Sequence, residues 1–103
     1  MCRRGRAPYA QRVITAIVFV RTEIDSVNSV AQAAAEIDGV SEVYSVTGEL
    51  DLIALVRVPT LDDVSRAVTD GIGRLAGVIT TETHIAFRTH SRHDLEAAFS
   101  IGT

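Results

Sequence analysis

The chain has 103 residues, of which 47% are apolar, 5% aromatic and 22% charged, a length suited to one compact domain and too short for two. This apolar content with a net charge of only −3 excludes a disordered chain, and no apolar run approaches the roughly 20 residues that span a bilayer. All ten basic residues are arginine; from Val13 onward six arginines face thirteen acids, a net −7, which is the wrong sign for a polyanion-binding surface.

Arg3, Arg4, Arg6 and Arg12 concentrate positive charge in the first twelve positions. They imitate the start of a secretion signal, but no small-residue cleavage site follows Val20, so the expectation is a soluble cytoplasmic protein with no membrane contact. Residues 1–12 are expected to form a flexible basic arm, residues 13–90 the domain, and residues 91–103 a tail. Cys2 stands alone, which leaves no internal disulfide and no cysteine-based metal site. At a frayed terminus it is an inert thiol rather than a catalytic one.

Val13 to Arg21 is β-branched and apolar at nearly every position, the pattern of a central strand. Asp25 or Ser26 can cap a following helix, whose apolar positions Val27, Val30, Ala31, Ala34 and Ile37 recur at helical spacing. Gly39 stands where a helix commonly ends in a left-handed residue. Val40 to Thr47 reads as a second strand, Gly48-Glu49 as a tight turn, and Leu50 to Val58 as a third strand ended by Pro59. Thr60 and Asp63 have capping-box spacing ahead of a second helix with a stripe of Leu61, Val64, Ala67, Val68, Ile72 and Leu75. Gly71 and Gly73 weaken this helix by roughly 1 kcal/mol each relative to alanine and mark close packing or an early loosening of its last turn. Gly77 ends it, and Val78 to Arg88 is the fourth strand. Beyond His90, Leu95 to Phe99 forms a short amphipathic piece.

The order β-α-β-β-α-β is also an internal repeat, with Gly39-Val40 and Gly77-Val78 separated by 38 residues. Right-handed crossovers in both halves predict an α+β, ferredoxin-like fold: a four-stranded antiparallel sheet in order 4-1-3-2 with both helices on one face. The other face is then bare. It carries either Ile17, Phe19, Ile53 and Leu55 or their alternates, an apolar patch of a kind rare on a soluble monomer. Burying about 600 Å² per subunit at about 25 cal/mol/Å² gives a gross term on the order of 15 kcal/mol before association costs. Sheet-on-sheet dimerisation follows as an expectation.

Catalytic patterns are sparse. His84, His90 and His93 are the only histidines, in no nucleophile or metalloprotease arrangement. His90 and His93 beside Asp94 have a spacing that could hold a metal, but such spacing is common by chance, and no metal or other cofactor is expected. His84 in the fourth strand reads as a satisfied structural imidazole. Sheet-face RNA recognition wants exposed aromatics on the central strands; only Phe19 qualifies, so no direct nucleic-acid contact is expected.

Gly48, Glu49 and Asp51 form the more informative cluster. A turn glycine lets backbone N–H groups approach an anion closely, and Asp51 sets a carboxylate at the rim. Backbone donors beside one carboxylate suit an α-amino acid, whose carboxylate meets the N–H groups and whose ammonium meets Asp51. The plainer alternative is a hairpin glycine beside a solvated acid. Thr80, Thr81 and Thr83 are good strand residues in any case, and equally good ligand donors and acceptors if the fourth strand lines a pocket.

Gly39-Val40-Ser41-Glu42-Val43-Tyr44-Ser45-Val46-Thr47-Gly48-Glu49-Leu50-Asp51, then Val56-Arg57-Val58, Leu61-Asp62-Asp63-Val64, Gly77-Val78 and Thr81-Glu82-Thr83-His84-Ile85, together resemble the effector (RAM) domain of Lrp/AsnC-type transcriptional regulators over Val13 to about Arg88. The resemblance implies the same fold, homodimers closed through packed sheets into an α+β barrel, and dimers assembled into octamers or similar rings. It implies amino-acid effectors in clefts between dimers, with Gly48, Glu49 and Asp51 matching the hairpin and Thr81 and Thr83 the last strand. The family often has an aromatic before the hairpin aspartate; Leu50 stands there, so the effector's identity does not transfer. Full-length members begin with a helix-turn-helix domain of some fifty residues, whereas twelve precede the first strand. The chain thus resembles stand-alone effector domains, which modulate transcription through partners such as a full-length regulator. Two rivals stand beside this reading: a dimeric α+β-barrel enzyme, such as a small monooxygenase with His84 or Tyr44 in the cleft between helices and sheet, and a pure assembly partner with an empty pocket.

Overall fold

The structure is a computed structural model that describes residues 13–88, 90 and 92. The basic arm over 1–12 with Cys2, the residues His93 and Asp94, and the tail piece Leu95 to Phe99 lie outside the described residues.

The elements are β1 (Ile14–Thr22), α1 (Val27–Ala35), β2 (Val40–Ser45), β3 (Leu52–Val58), α2 (Leu61–Ser65, continued by irregular helical turns to Arg74) and β4 (Val78–Ile85). The sheet runs β2-β3-β1-β4, every pairing antiparallel. This is the expected ferredoxin-like order. Among the described residues no helix is long and apolar enough to cross a membrane.

Alternation along the two central strands gives each of them an apolar set on both faces, and the helices cover one of the two. Ala16, Val18 and Val20 of β1 and Leu52, Ala54, Val56 and Val58 of β3 are buried against Val30 and Ala34 of α1 and Val64, Ala67, Val68 and Ile72 of the second helix. These are small β-branched or aliphatic groups at period 2 on the strands and 3–4 on the helices, so their faces mesh without polar atoms in between.

The repeated Gly-Val pairs perform the same task twice. Gly39 (φ +94°) and Gly77 (φ +98°) both take the left-handed conformation that lets the chain leave a helix and enter a strand at once. Each then gives its carbonyl to the end of a central strand, Gly39 to Arg57 N–H and Gly77 to Glu23 N–H, both at 2.8 Å.

Four local expectations are corrected. Neither Asp25 nor Ser26 caps α1 with its side chain: Ser26 sits at φ −113°, ψ 2° with no capping bond, away from the extended conformation that aims a hydroxyl at the first turn, and its hydroxyl turns to Asp25 Oδ1 at 3.4 Å. The tight Gly48-Glu49 turn is a wider loop, closed where Val46 N–H meets the Asp51 carbonyl at 3.1 Å, so regular strand ends at Ser45 and resumes at Leu52. The second helix departs from α-geometry from Arg66, with Ile72 N–H bonding back to the Ala67 carbonyl. The widened turn packs closely on Ile37, just past the end of α1: a Cβ at Gly71 would stand 3.0 Å from that side chain. The fourth strand ends at Ile85 rather than Arg88.

The cap on α2 does form. Thr60 Oγ1 accepts the Asp63 N–H at 3.1 Å and donates to the Asp63 carboxylate at 2.8 Å. Thr60→Ala is expected to cost about 1 kcal/mol, read as a fall in Tm of about 4–8 °C for a domain of this size.

Candidate functional site

Three strands converge at one end of the sheet. Val20 of β1 lies opposite Leu52 of β3 on one side and Thr81 of β4 on the other, so the loop between β2 and β3 rises at the end where β4 begins. Gly48 occupies the loop with φ +105°, and no atom lies within 4 Å of where its Cβ would stand. The space beside its Cα is thus unfilled by protein, and Glu49 next to it is exposed.

Asp51 is held rather than free. Its N–H donates to the Val20 carbonyl at 3.1 Å, and its Oδ2 accepts the Thr22 N–H at 2.8 Å. The carboxylate thus continues the β1–β3 pairing past the last regular residue, where β1 shifts register against β4 between Arg21 and Thr22. Thr22 is buried, 6% exposed, and would lose a backbone partner without it. The second carboxylate oxygen has no protein partner among the described residues. Thr22 is the residue that sequence reasoning missed: it lies 29 positions from Asp51, and only strand register reveals the pairing.

Thr81 and Thr83 pair with Val20 and Val18, whose side chains face the helices, so both threonines lie on that same side of an edge strand. Strand β1 separates them from β3, and among the described residues no hydrogen bond joins either to Asp51. Within one chain the five candidates form two groups at one end of the sheet, not a closed pocket.

The face away from the helices carries Ile17 opposite Leu55 and Phe19 opposite Ile53, all half-buried, with Tyr44 of β2 next to Ile53. No helix covers these side chains. His84 lies on this face too, its ring centroid 5.0 Å from that of Phe19 and its Nε2 2.9 Å from Glu82 Oε2. The hydrogen bond to the Glu42 carboxylate, more than any burial, holds the Tyr44 phenol above its ordinary range, which makes it a poorer proton donor. Both residues offered for an enzyme cleft therefore stand outside the helix–sheet interior. Among the described residues no group of three or more histidines, cysteines and acids gathers in metal-binding distance; the His90, His93 and Asp94 spacing falls partly outside them.

The fold is shared with known structures. TTHA0845 from Thermus thermophilus superposes with a TM-score of 0.72 at 47% identity, over 77% of this chain and 99% of that one. AsnC of E. coli superposes at 0.71 with 18% identity, over 86% of this chain and 61% of its own. The transcriptional regulator NMB0573 from Neisseria meningitidis, solved in complex with L-Met, superposes at 0.70 with 16% identity, over 89% and 63%. These last two likenesses concern the fold. No curated protein matches the sequence significantly. The Lrp/AsnC ligand binding domain model matches residues 15–95, most of the described chain and every candidate residue above, and the chain belongs to the Lrp/AsnC ligand-binding domain family.

Proposed function

We propose that this chain is a cytoplasmic amino-acid-sensing and oligomerisation module that binds its effector without chemical turnover and modulates transcription through partners rather than by touching DNA itself. The observation that carries it is the pairing of an unobstructed Gly48 backbone with an anchored Asp51 carboxylate at one sheet end. Fixed in place by Thr22, the free oxygen of Asp51 is a preorganised acceptor for an ammonium, and the loop N–H groups can receive a carboxylate. The L-Met complex of NMB0573 supports an amino acid as the class of ligand.

In this reading two protomers close their uncovered faces on each other, and Thr81 and Thr83 complete the site from a neighbouring dimer in a ring. The separation of the threonines from Asp51 within one chain supports a site that needs assembly. A full-length Lrp/AsnC regulator is the partner of matching shape, since it carries the same sheet, and the net −7 from Val13 onward disfavours direct DNA contact.

A thermal-shift screen of the twenty L-amino acids tests the proposal. One of them at 100 times its Kd should stabilise the protein by about 2.7 kcal/mol; no shift for any would leave assembly alone as the role. Asp51→Asn separates binding from structure, because an amide oxygen can still accept the Thr22 N–H. It should hold Tm within about 2 °C while weakening the amino acid tenfold or more. Asp51→Ala should additionally lose about 1 kcal/mol of stability with the hydrogen bond.

A further inference from the structure

At the opposite end of the sheet lies a cavity of about 480 Å³, within the range of about 300–1,000 Å³ that small-molecule pockets occupy. It opens where α1 hands over to β2 and β3 hands over to α2, and its lining includes Asp38, Gly39, Arg57, Val58, Asp63 and Arg66. The 7 residues of β3, Leu52–Val58, separate it from the hairpin, about 20 Å at strand rise. We propose that this cavity is a second binding site, distinct from the hairpin, for a small zwitterion of the α-amino-acid class.

The charges in its wall determine the ligand. Arg66 and Asp63 are partners at 3.3 Å, and Asp63 also holds the Thr60 hydroxyl, so this pair is satisfied within the protein. Arg57 and Asp38 are not. Arg57 Nη1 donates to the Ser41 hydroxyl at 2.8 Å, a neutral acceptor, which leaves its charge uncompensated and other donors of its guanidinium fork unused. Asp38 has no hydrogen-bond or ionic partner among the described residues. One cation and one anion, each without a counterion, thus border one cavity whose other two charges cancel.

A dianion such as phosphate would meet the carboxylates of Asp38 and Asp63, and a simple cation would meet two guanidinia. A molecule with carboxylate and ammonium on one carbon satisfies Arg57 and Asp38 together. The geometry is supported from beneath. Ser41 is the residue skipped in the register between β2 and β3, and this bulge brings its hydroxyl to Arg57. Gly39 packs so closely on Val58 that a Cβ would stand 2.6 Å from its methyl, which sets the turn bearing Asp38 directly on the end of β3.

The test follows backbone amide resonances of the intact protein during titration with each of the twenty L-amino acids, and with propionate and ethylamine as probes of one charge each. At least one amino acid should move the amides of Asp38, Gly39 and Val58. Its affinity there should fall tenfold or more in both Arg57→Gln and Asp38→Asn, two exposed positions whose variants should fold. Asp51→Asn weakens the hairpin site and should leave the affinity read at the cavity amides unchanged. Absence of any shift at these amides, equal binding of the single-charge probes, or unchanged affinity in both cavity variants would overturn the second site and leave the hairpin proposal standing.

Discussion

Phe19→Glu is expected to convert an assembled protein into a monomer. Phe19 lies opposite Ile53 on the uncovered face beside Ile17 and Leu55, and a second copy of that face would enclose it. An unpaired carboxylate enclosed there costs several kcal/mol, so the dimer Kd should rise at least about 100-fold, the equivalent of about 2.7 kcal/mol. The fold itself should survive, since Phe19 takes no part in the core formed against the helices. Sedimentation velocity at micromolar concentration reads the outcome. Leu61→Glu, on the exposed side of the second helix and 61% exposed, should leave sedimentation unchanged. A monomeric native protein, or an unaltered Phe19→Glu variant, would overturn sheet-on-sheet pairing.

Gly39→Ala and Gly77→Ala should be the most destabilising glycine-to-alanine substitutions among the described residues. Two separate penalties act at Gly39. Its φ of +94° strains any residue with a Cβ, by about 1–2 kcal/mol, and that Cβ would stand 2.6 Å from Val58 Cγ1. Val58 is itself buried at 5% exposure and has little room to yield, so overpacking adds about 1–3 kcal/mol. The sum of about 2–5 kcal/mol is a large share of the stability of a small domain. Gly77 repeats the situation, with Ser26 Cβ 2.5 Å from the added atom. Gly48→Ala separates the two penalties: φ is +105°, but nothing lies within 4 Å, so only the backbone strain of about 1–2 kcal/mol remains. Urea unfolding at constant m-value measures all three. A loss at Gly48 equal to that at Gly39 would show that sterics contribute nothing.

Much of the architecture was legible beforehand. The apolar runs Val13 to Arg21 and Leu50 to Val58 marked the central strands without choosing their core face. Of the helical stripes, Val30, Ala34, Val64, Ala67, Val68 and Ile72 are buried in the core, whereas Leu61, read as part of the second stripe, is 61% exposed. The candidate site was legible only in outline. Gly48 and Asp51 could be singled out, but the length of their loop, the Thr22 partner of Asp51 and the position of the threonines across β1 could not. Likewise Arg57 stood out only as a residue of the third strand, and nothing in its neighbours pointed to Ser41 or Asp38 at the same cavity. The cap that Ser26 does not form, and the start of the irregular turns as early as Arg66 rather than at the two glycines, have a related cause. A capping sequence competes with the packing of Gly77 on Ser26 and of Gly71 on Ile37, and the tertiary contact won.

The residue order alone thus carried the element types, the chain's βαββαβ course, the apolar set for each face and the glycines that end both helices. These depend on local sterics and on solvent exclusion, which act over a few neighbouring residues and leave a periodic trace. Folding in three dimensions decided which face the helices took, which strand atoms received the Asp51 carboxylate and which charges remained without partners beside the Gly39 turn. Those outcomes depend on register and close approach between segments tens of residues apart, where a shift of one residue exchanges every contact.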